Sequence, residues 1–137
     1  MKFKTLAGGF RSVSNAKKYT INWKGKSRSK LQFSVKKFLE QYWLHDIVFE
    51  EFPMAGTKLS FDIFNANKSI AIEVQGQQHV KYTPFFHGNN KINYIDQLRR
   101  DKLKADFCKV NSINLIEIYY NDEINKALFK KQGLVLI

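Results

Sequence analysis

The 137-residue chain contains one cysteine, two prolines and no long apolar run. Cys108 has no intramolecular disulfide partner and cannot form a cysteine zinc cluster, which fits a reducing compartment. No stretch approaches the roughly 18 consecutive apolar residues of a membrane helix, and the N-terminus lacks the apolar core of a signal peptide. We therefore expect a cytoplasmic protein without membrane association.

Acidic residues are missing from the first 39 positions, because Glu40 is the first acid in the chain. The 11 Lys and Arg residues of this segment account for the whole net charge of +11. We interpret residues 1–28 as a basic N-terminal arm and residues 29–137 as the folded domain. Such asymmetry predicts a polyanionic partner, since Lys and Arg that neutralise phosphates release condensed counterions. The candidate DNA contacts around the arm are Lys17, Lys18, Lys24, Lys26, Arg28 and Lys30.

The arm has a second interpretation, in which it is a solvated tail that aids solubility. Its aromatic residues, Phe10, Tyr19 and Trp23, favour a binding role because aromatic rings can stack on bases. The same rings could instead anchor the arm to the body. The sequence leaves both uses open.

Apolar spacing predicts a helix over 29–42, strands over 47–52, 59–64 and 69–75, a helix over 94–110 and a strand over 113–119. Residues 76–90 are expected to be irregular. The last 17 residues suggest a short amphipathic helix followed by an edge strand in GLVLI. This order predicts an α/β (α+β) fold in which a small mixed sheet is flanked by helices.

Two carboxylates interrupt apolar strands, Asp62 in FDIF and Glu73 in IAIEVQ. Strand alternation places Asp62 opposite Phe61 and Ile63, and it places Glu73 and Gln75 together on one side of the next strand. A buried carboxylate must be paired, hydrogen-bonded or bound to a metal. The alternative is a hairpin whose outer face is exposed to solvent and carries ordinary surface acids.

Asp62 followed by Glu73-Val74-Gln75 resembles the core motif of the PD-(D/E)XK nuclease superfamily. The runs EVQGQQHVKYTPFFHG, QLRRDKLKADFC and INLIEIYY, in this order, resemble phage-type endonucleases related to the very-short-patch repair enzyme and to homing endonucleases. The resemblance extends from Ser29 to about Tyr120. It implies an αβββαβ core and a Mg²⁺-dependent endodeoxyribonuclease that cleaves duplex DNA, in the host-cell cytoplasm if the chain is phage-encoded.

The resemblance also implies site residues. The Mg²⁺ ligands would be the carboxylates of Asp62 and Glu73 and the Val74 carbonyl, and Mn²⁺ is a second candidate ion. Gln75 occupies the position of the family lysine, where it can orient water but supplies no charge. The candidates for the missing lysine are Lys81, His79 and Lys102.

Further site residues surround this motif. His79 and His87 are each expected to act as a base or a phosphate contact, or else to hydrogen-bond the loop backbone. On the second helix, Gln97 and Asp101 share a face at the expected rim of the site. Arg100 and Lys104 would contact the scissile strand, although charged stripes of this kind are usually solvated. Gln32 on the first helix is a candidate support residue behind the ligands.

Several functions compete at this stage. The first is the metal-dependent nuclease. The second is a catalytically impaired DNA-binding module of the same fold, and a third is a structural protein with a basic tail. A nuclease that resolves branched DNA shares the same core. A homo-oligomer would be needed if both strands are cut, since a double-strand cut requires two active sites.

Overall fold

The computed structural model describes residues 1–76 and 91–137. Its elements, in chain order, are β1 (Lys2–Lys4), β2 (Phe10–Ser12), a 3₁₀ helix (Ala16–Tyr19), α1 (Lys30–Trp43), β3 (Val48–Pro53), β4 (Ser60–Asn65), β5 (Ile70–Gln75), α2 (Lys91–Val110), β6 (Asn114–Tyr119) and α3 (Lys126–Lys131). None of the helices within these ranges combines the length and the apolar character that crossing a membrane requires.

The strands form a two-stranded sheet, β1–β2, and a four-stranded mixed sheet in the order β3–β4–β5–β6. β3, β4 and β5 are antiparallel neighbours, whereas β5 and β6 are parallel. A parallel pair requires a long crossover connection, and α2 lies within it. The predicted mixed α+β class with helices flanking a small sheet is therefore confirmed.

Apolar side chains cover both faces of the four-stranded sheet. One cluster contains the buried face of α1, Val35, Leu39 and Trp43, together with Ile63 and Ile72. We call the cluster on the other face the phenylalanine cluster; it contains Phe3, Phe49, Phe52, Phe61, Phe64 and Phe107. The carboxylates at Asp62 and Glu73 are thus placed in a sheet that is buried on both sides.

Helical spacing in the sequence predicts that Ile95, Leu98, Leu103, Phe107 and Val110 form an apolar stripe on α2, and the structure confirms only part of it. Phe107 is buried and Leu103 packs against the phenylalanine cluster. Ile95, Leu98 and Val110 are instead 46%, 50% and 44% exposed. The described contacts of α2 with this cluster come from its C-terminal half, so the apolar spacing of the first half does not correspond to burial.

The predicted edge strand at the C-terminus is wrong. Residues 134–137 form no strand, and Leu134 and Leu136 are buried in the cluster beside α1. Gly133, with φ of 91°, follows α3 in the left-handed conformation that glycine adopts without strain. The chain thereby turns back onto the core instead of extending the sheet.

The N-terminal segment packs against the body through apolar side chains. The Phe3 ring lies 6.0 Å from that of Phe52, and the Tyr19 ring lies 5.9 Å from the same side chain. Ile21 is buried in the cluster beside α1, where Trp23 also packs. Tyr19 and Trp23 are therefore anchors, whereas Phe10 is 59% exposed. The domain boundary at residue 28 stays a prediction.

Candidate active site

The backbone pairing of β4 with β5 ends next to Asp62. It runs from Asn65↔Ile70 to Ile63↔Ile72. Beyond that pair, Asp62 N donates to Glu73 Oε2 over 2.9 Å, and Val74 N donates to Asp62 Oδ2 over 2.8 Å. Each carboxylate therefore accepts an N–H from the opposite strand. This exchange satisfies two backbone donors and orients both acids.

A reversal of side-chain alternation accompanies this exchange. Glu51 on β3 has φ of 52°, a left-handed conformation that is rare for a residue with a side chain. As a result Phe49 and Phe52, three residues apart, both belong to the phenylalanine cluster. β4 shows the same change, because Phe61 and Phe64 lie in that cluster whereas Ile63 lies beside α1. The expectation that Phe61 and Ile63 share a face is wrong, and Asp62 lies at the switch.

Both carboxylates line a cavity of about 760 Å³. The sequence-predicted site residues in its lining are Gln32, Asp62, Glu73, Val74, Gln75, Arg100, Asp101 and Lys104, together with Arg28. Lys58, on the turn between β3 and β4, and Tyr120, after β6, also line it and were not predicted. A single cavity therefore collects side chains from five parts of the chain that are distant in sequence.

Lys104, a basic residue of α2, contacts the Glu73 carboxylate. Its Nζ donates to Glu73 Oε1, and the side chains of Lys104 and Glu73 are only 16% and 7% exposed. Lys102 instead pairs with Asp106 over 3.0 Å and is 76% exposed. Two helical positions differ by about 200° around the axis, so Lys102 and Lys104 face opposite directions.

Burial shifts the titration of the acids at this site. It raises the pKa of Glu73 to about 7, an effect that the Asp62 charge reinforces and the Lys104 ammonium opposes. Burial and the Asp62 charge also raise the pKa of Glu51. Glu51 Oε2 is buried without a hydrogen-bond partner, while Oε1 lies 3.5 Å from Arg28. The charges of Glu51 and Asp62 therefore interact, although Glu51 lines a neighbouring pocket and not the cavity. Glu51 was not predicted from the sequence.

A buried ion pair supports the wall of the cavity behind these acids. Lys36 is fully buried, and its Nζ lies 3.1 Å from Glu50 Oε1. Glu50 Oε2 accepts hydrogen bonds from Gln32 Nε2 over 2.9 Å and from Ser27 Oγ over 2.6 Å. The side chain of Gln32 is thereby fixed at the cavity wall, on the side of α1.

The remaining predicted residues fall into two groups, those outside the described part of the chain and those described away from the cavity. His79, Lys81 and His87 fall outside the described residues. Gln97 does not line the cavity. Lys17 and Lys18 lie on the 3₁₀ helix, where the Lys18 ammonium is 5.1 Å from the Tyr19 ring centroid. Lys24, Lys26 and Lys30 line a neighbouring groove. Across residues 1–76 and 91–137, no group of three or more His, Cys, Asp or Glu side chains is arranged to hold a metal ion.

Comparisons with known proteins relate this chain to viral proteins. It is 36% identical over 73 residues to uncharacterized protein 033L of Invertebrate iridescent virus 3 and 37% identical over 74 residues to uncharacterized protein 307L of Invertebrate iridescent virus 6. It is 35% identical over 68 residues to uncharacterized protein 094L of Frog virus 3 (isolate Goorha). These matches cover 53%, 53% and 50% of this chain but only 37%, 37% and 44% of the relatives. No family model and no solved structure matches the chain.

Proposed function

We propose that this protein is a Mg²⁺-dependent DNA endonuclease with a PD-(D/E)XK core formed by α1, β3, β4, β5, α2 and β6. The observation that carries the proposal is a pair of hydrogen bonds at the wall of a cavity that also contains Lys104. Asp62 N donates to the Glu73 carboxylate, and Val74 N donates to the Asp62 carboxylate. These two hydrogen bonds hold the two acids side by side at the point where the backbone pairing of β4 with β5 ends. Two fixed carboxylates next to basic side chains suit the cleavage of an anionic phosphodiester.

The donor set suits a hard divalent ion. Mg²⁺ is usually bound by one or two carboxylates, with waters and substrate phosphates completing its shell. Asp62, Glu73 and the Val74 carbonyl would supply these oxygens, and Mn²⁺ accepts the same ligands. The buried, unpartnered Oε2 of Glu51 near Asp62 supports a cation in this region. When bound, the ion would polarise the scissile phosphate and lower the pKa of a water.

Side chains of this protein would supply positive charge, orient a water and bind the phosphates of the DNA. Lys104 supplies the positive charge that Gln75 lacks, since its ammonium already contacts Glu73. Gln75 is buried at the cavity wall, where its amide can orient a water. Arg28 and Arg100, on the arm and on α2, would bind phosphates on either side of the cleaved bond. Asp101 lines the same cavity near them.

The test is cleavage of supercoiled plasmid with Mg²⁺ and with EDTA. Asp62→Ala and Glu73→Ala should each slow cleavage at least about a hundredfold, because metal stabilisation of charge is worth several kcal/mol. DNA affinity and the circular dichroism spectrum should change little. Glu40→Ala is the matched control, because Glu40 pairs with Lys37 outside the cavity. Near wild-type cleavage by the Asp62 and Glu73 variants would refute the proposal.

A catalytically impaired DNA-binding module is the second candidate. It is favoured by Gln75 at the lysine position and by Glu73, both of whose oxygens already accept hydrogen bonds. Tight DNA binding without cleavage in either Mg²⁺ or Mn²⁺ would favour this module over the nuclease.

A further inference from the structure

A second groove adjoins the cavity at the start of α1. It has a volume of about 740 Å³ and is formed by residues between Lys24 and Ser34. Four cations line it, namely Lys24, Lys26, Arg28 and Lys30, together with three serines and Phe33. None of the described residues in this lining is acidic. The groove therefore attracts anions, and its uniform charge contrasts with the mixed charge of the cavity.

The buried Lys36 fixes the backbone of the loop that forms the wall of the groove. Its Nζ donates to the carbonyl oxygens of Asn22 and Gly25, each over 2.9 Å. Ser27 is fixed by its hydrogen bond to Glu50. The loop that presents the cations is thus part of the folded body, and a ligand would meet a preorganised surface with a smaller entropic cost of binding.

Phe33 gives this basic groove an aromatic surface. The side chain of Phe33 is 38% exposed, and its ring centroid lies 5.6 Å from the Lys36 ammonium. Basic grooves with exposed aromatic rings bind single strands, because each unpaired base offers a face for stacking. In a duplex these faces are covered by neighbouring base pairs. Charge together with Phe33 therefore favours an unpaired strand.

The groove and the cavity are adjacent, since Arg28 and Ser29 line both. We propose that the groove binds a single-stranded segment of DNA and leads it toward Asp62 and Glu73. The position of the cut relative to that segment rests on the proposed nuclease function, whereas the binding itself does not. The preferred substrate class is then DNA with an unpaired arm, such as a fork or flap, and not uniform duplex.

The test measures the binding of fluorescein-labelled oligo-dT and of a blunt duplex of equal length by fluorescence anisotropy in EDTA. Phe33→Leu should weaken oligo-dT binding at least about fivefold, the loss of one stacked base, and change duplex binding less than twofold. Phe33→Tyr keeps the ring and should retain oligo-dT affinity. Phe10→Leu is the matched control, because Phe10 is an exposed ring 5.0 Å from the Lys2 ammonium outside the groove.

Equal losses for oligo-dT and duplex, or no loss for Phe33→Leu, would overturn the proposal. The same loss in Phe10→Leu would also overturn it. Melting curves of each variant confirm folding. If the leucine variant unfolds, Lys24→Gln/Lys26→Gln takes its place and should weaken oligo-dT binding more than duplex binding; equal losses for the two ligands would overturn the proposal. Cleavage of a forked substrate in Mg²⁺ is scored separately. If Phe33→Leu weakens oligo-dT binding but the wild type cleaves no substrate, the result supports single-strand binding in the groove and contradicts only the proposed nuclease function.

Discussion

The two ends of the β4–β5 hairpin are held together by different chemistry. Near the turn, residues Ile63 to Asn65 pair with Ile70 to Ile72 through their backbones, and Ile63 and Ile72 are fully buried. One residue further, Asp62 and Glu73 replace that pairing with side-chain bonds. The apolar end stabilises the fold, whereas the acidic end concentrates like charges at a cavity. Stability and candidate chemistry are therefore separated by a single residue along each strand.

The largest effect is expected from a substitution at the apolar end of the hairpin. Ile63→Ala should lower the free energy of unfolding by about 2–5 kcal/mol, because it leaves a cavity in a closed core. Urea denaturation measures the change. Ile95→Ala is the control, since Ile95 is 46% exposed and should cost less than about 0.5 kcal/mol. Equal losses in the two variants would show that Ile63 is not part of a packed core.

The acidic end should make stability depend on pH. The pKa of Glu73 is raised from 4.5 to about 7 on folding, so the folded protein binds this proton more tightly than the unfolded chain does. Its contribution is fully present below pH 4.5 and is lost as pH rises to about 7, on the order of 3 kcal/mol in total. Glu73→Gln should remove this slope in urea titrations at several pH values. An unchanged slope would contradict the shift.

The contrast between two lysines of α2 tests the catalytic role that we propose for the acidic end. Lys104→Met should reduce cleavage by about a hundredfold, the usual cost of losing one positioned charge at a reacting centre. Lys102→Met, two residues away and paired with Asp106, should cleave like the wild type. Single-turnover plasmid cleavage compares the two variants. Similar rates for both would remove Lys104 from the catalytic group.

The smallest effect concerns the basic groove. Lys24→Gln/Lys26→Gln should reduce the slope of log K against log salt on oligo-dT by about 1.4 if both lysines contact phosphates of the single strand. Lys130→Gln/Lys131→Gln on α3, outside the groove and the cavity, should leave the slope unchanged. Deleting residues 1–26 is a poorer test, because it removes Phe3 and Ile21 from the core.

The sequence predicted most of the main sheet and both principal helices, because β-strands and the buried face of α1 follow simple apolar periods. It also located Asp62 and Glu73, since acids within Ile- and Phe-rich strands are conspicuous. It missed the reversal at Glu51, because a positive φ in a non-glycine residue has no sequence signal. The prediction therefore assumed strict alternation of side chains through a position where the alternation reverses.

The sequence also did not predict how α2 is rotated about its own axis. Spacing showed that Arg100 and Lys104 share a face, but it could not decide which face of the helix meets β5. The sequence therefore made Lys102 a candidate for the missing lysine, whereas Lys104 was expected only to contact the scissile strand. Charge was a better guide in the N-terminal segment, where KGKSRSK places a candidate DNA contact at every second position from Lys24 to Lys30. All four cations line the groove.

Both outer strands of the main sheet have part of their free edge covered. Thr20 bridges to Phe49 and Ile21 N donates to the Val48 carbonyl over 3.0 Å, along β3. On β6, the Gln132 amide accepts from Glu117 N over 3.0 Å and donates to Glu117 O over 2.8 Å, as a neighbouring strand would. Two copies of the chain could not join their sheets at these positions without releasing those bonds. A dimer that cuts both DNA strands would therefore associate through helices or loops, and the spacing of its two cuts would be set by those surfaces.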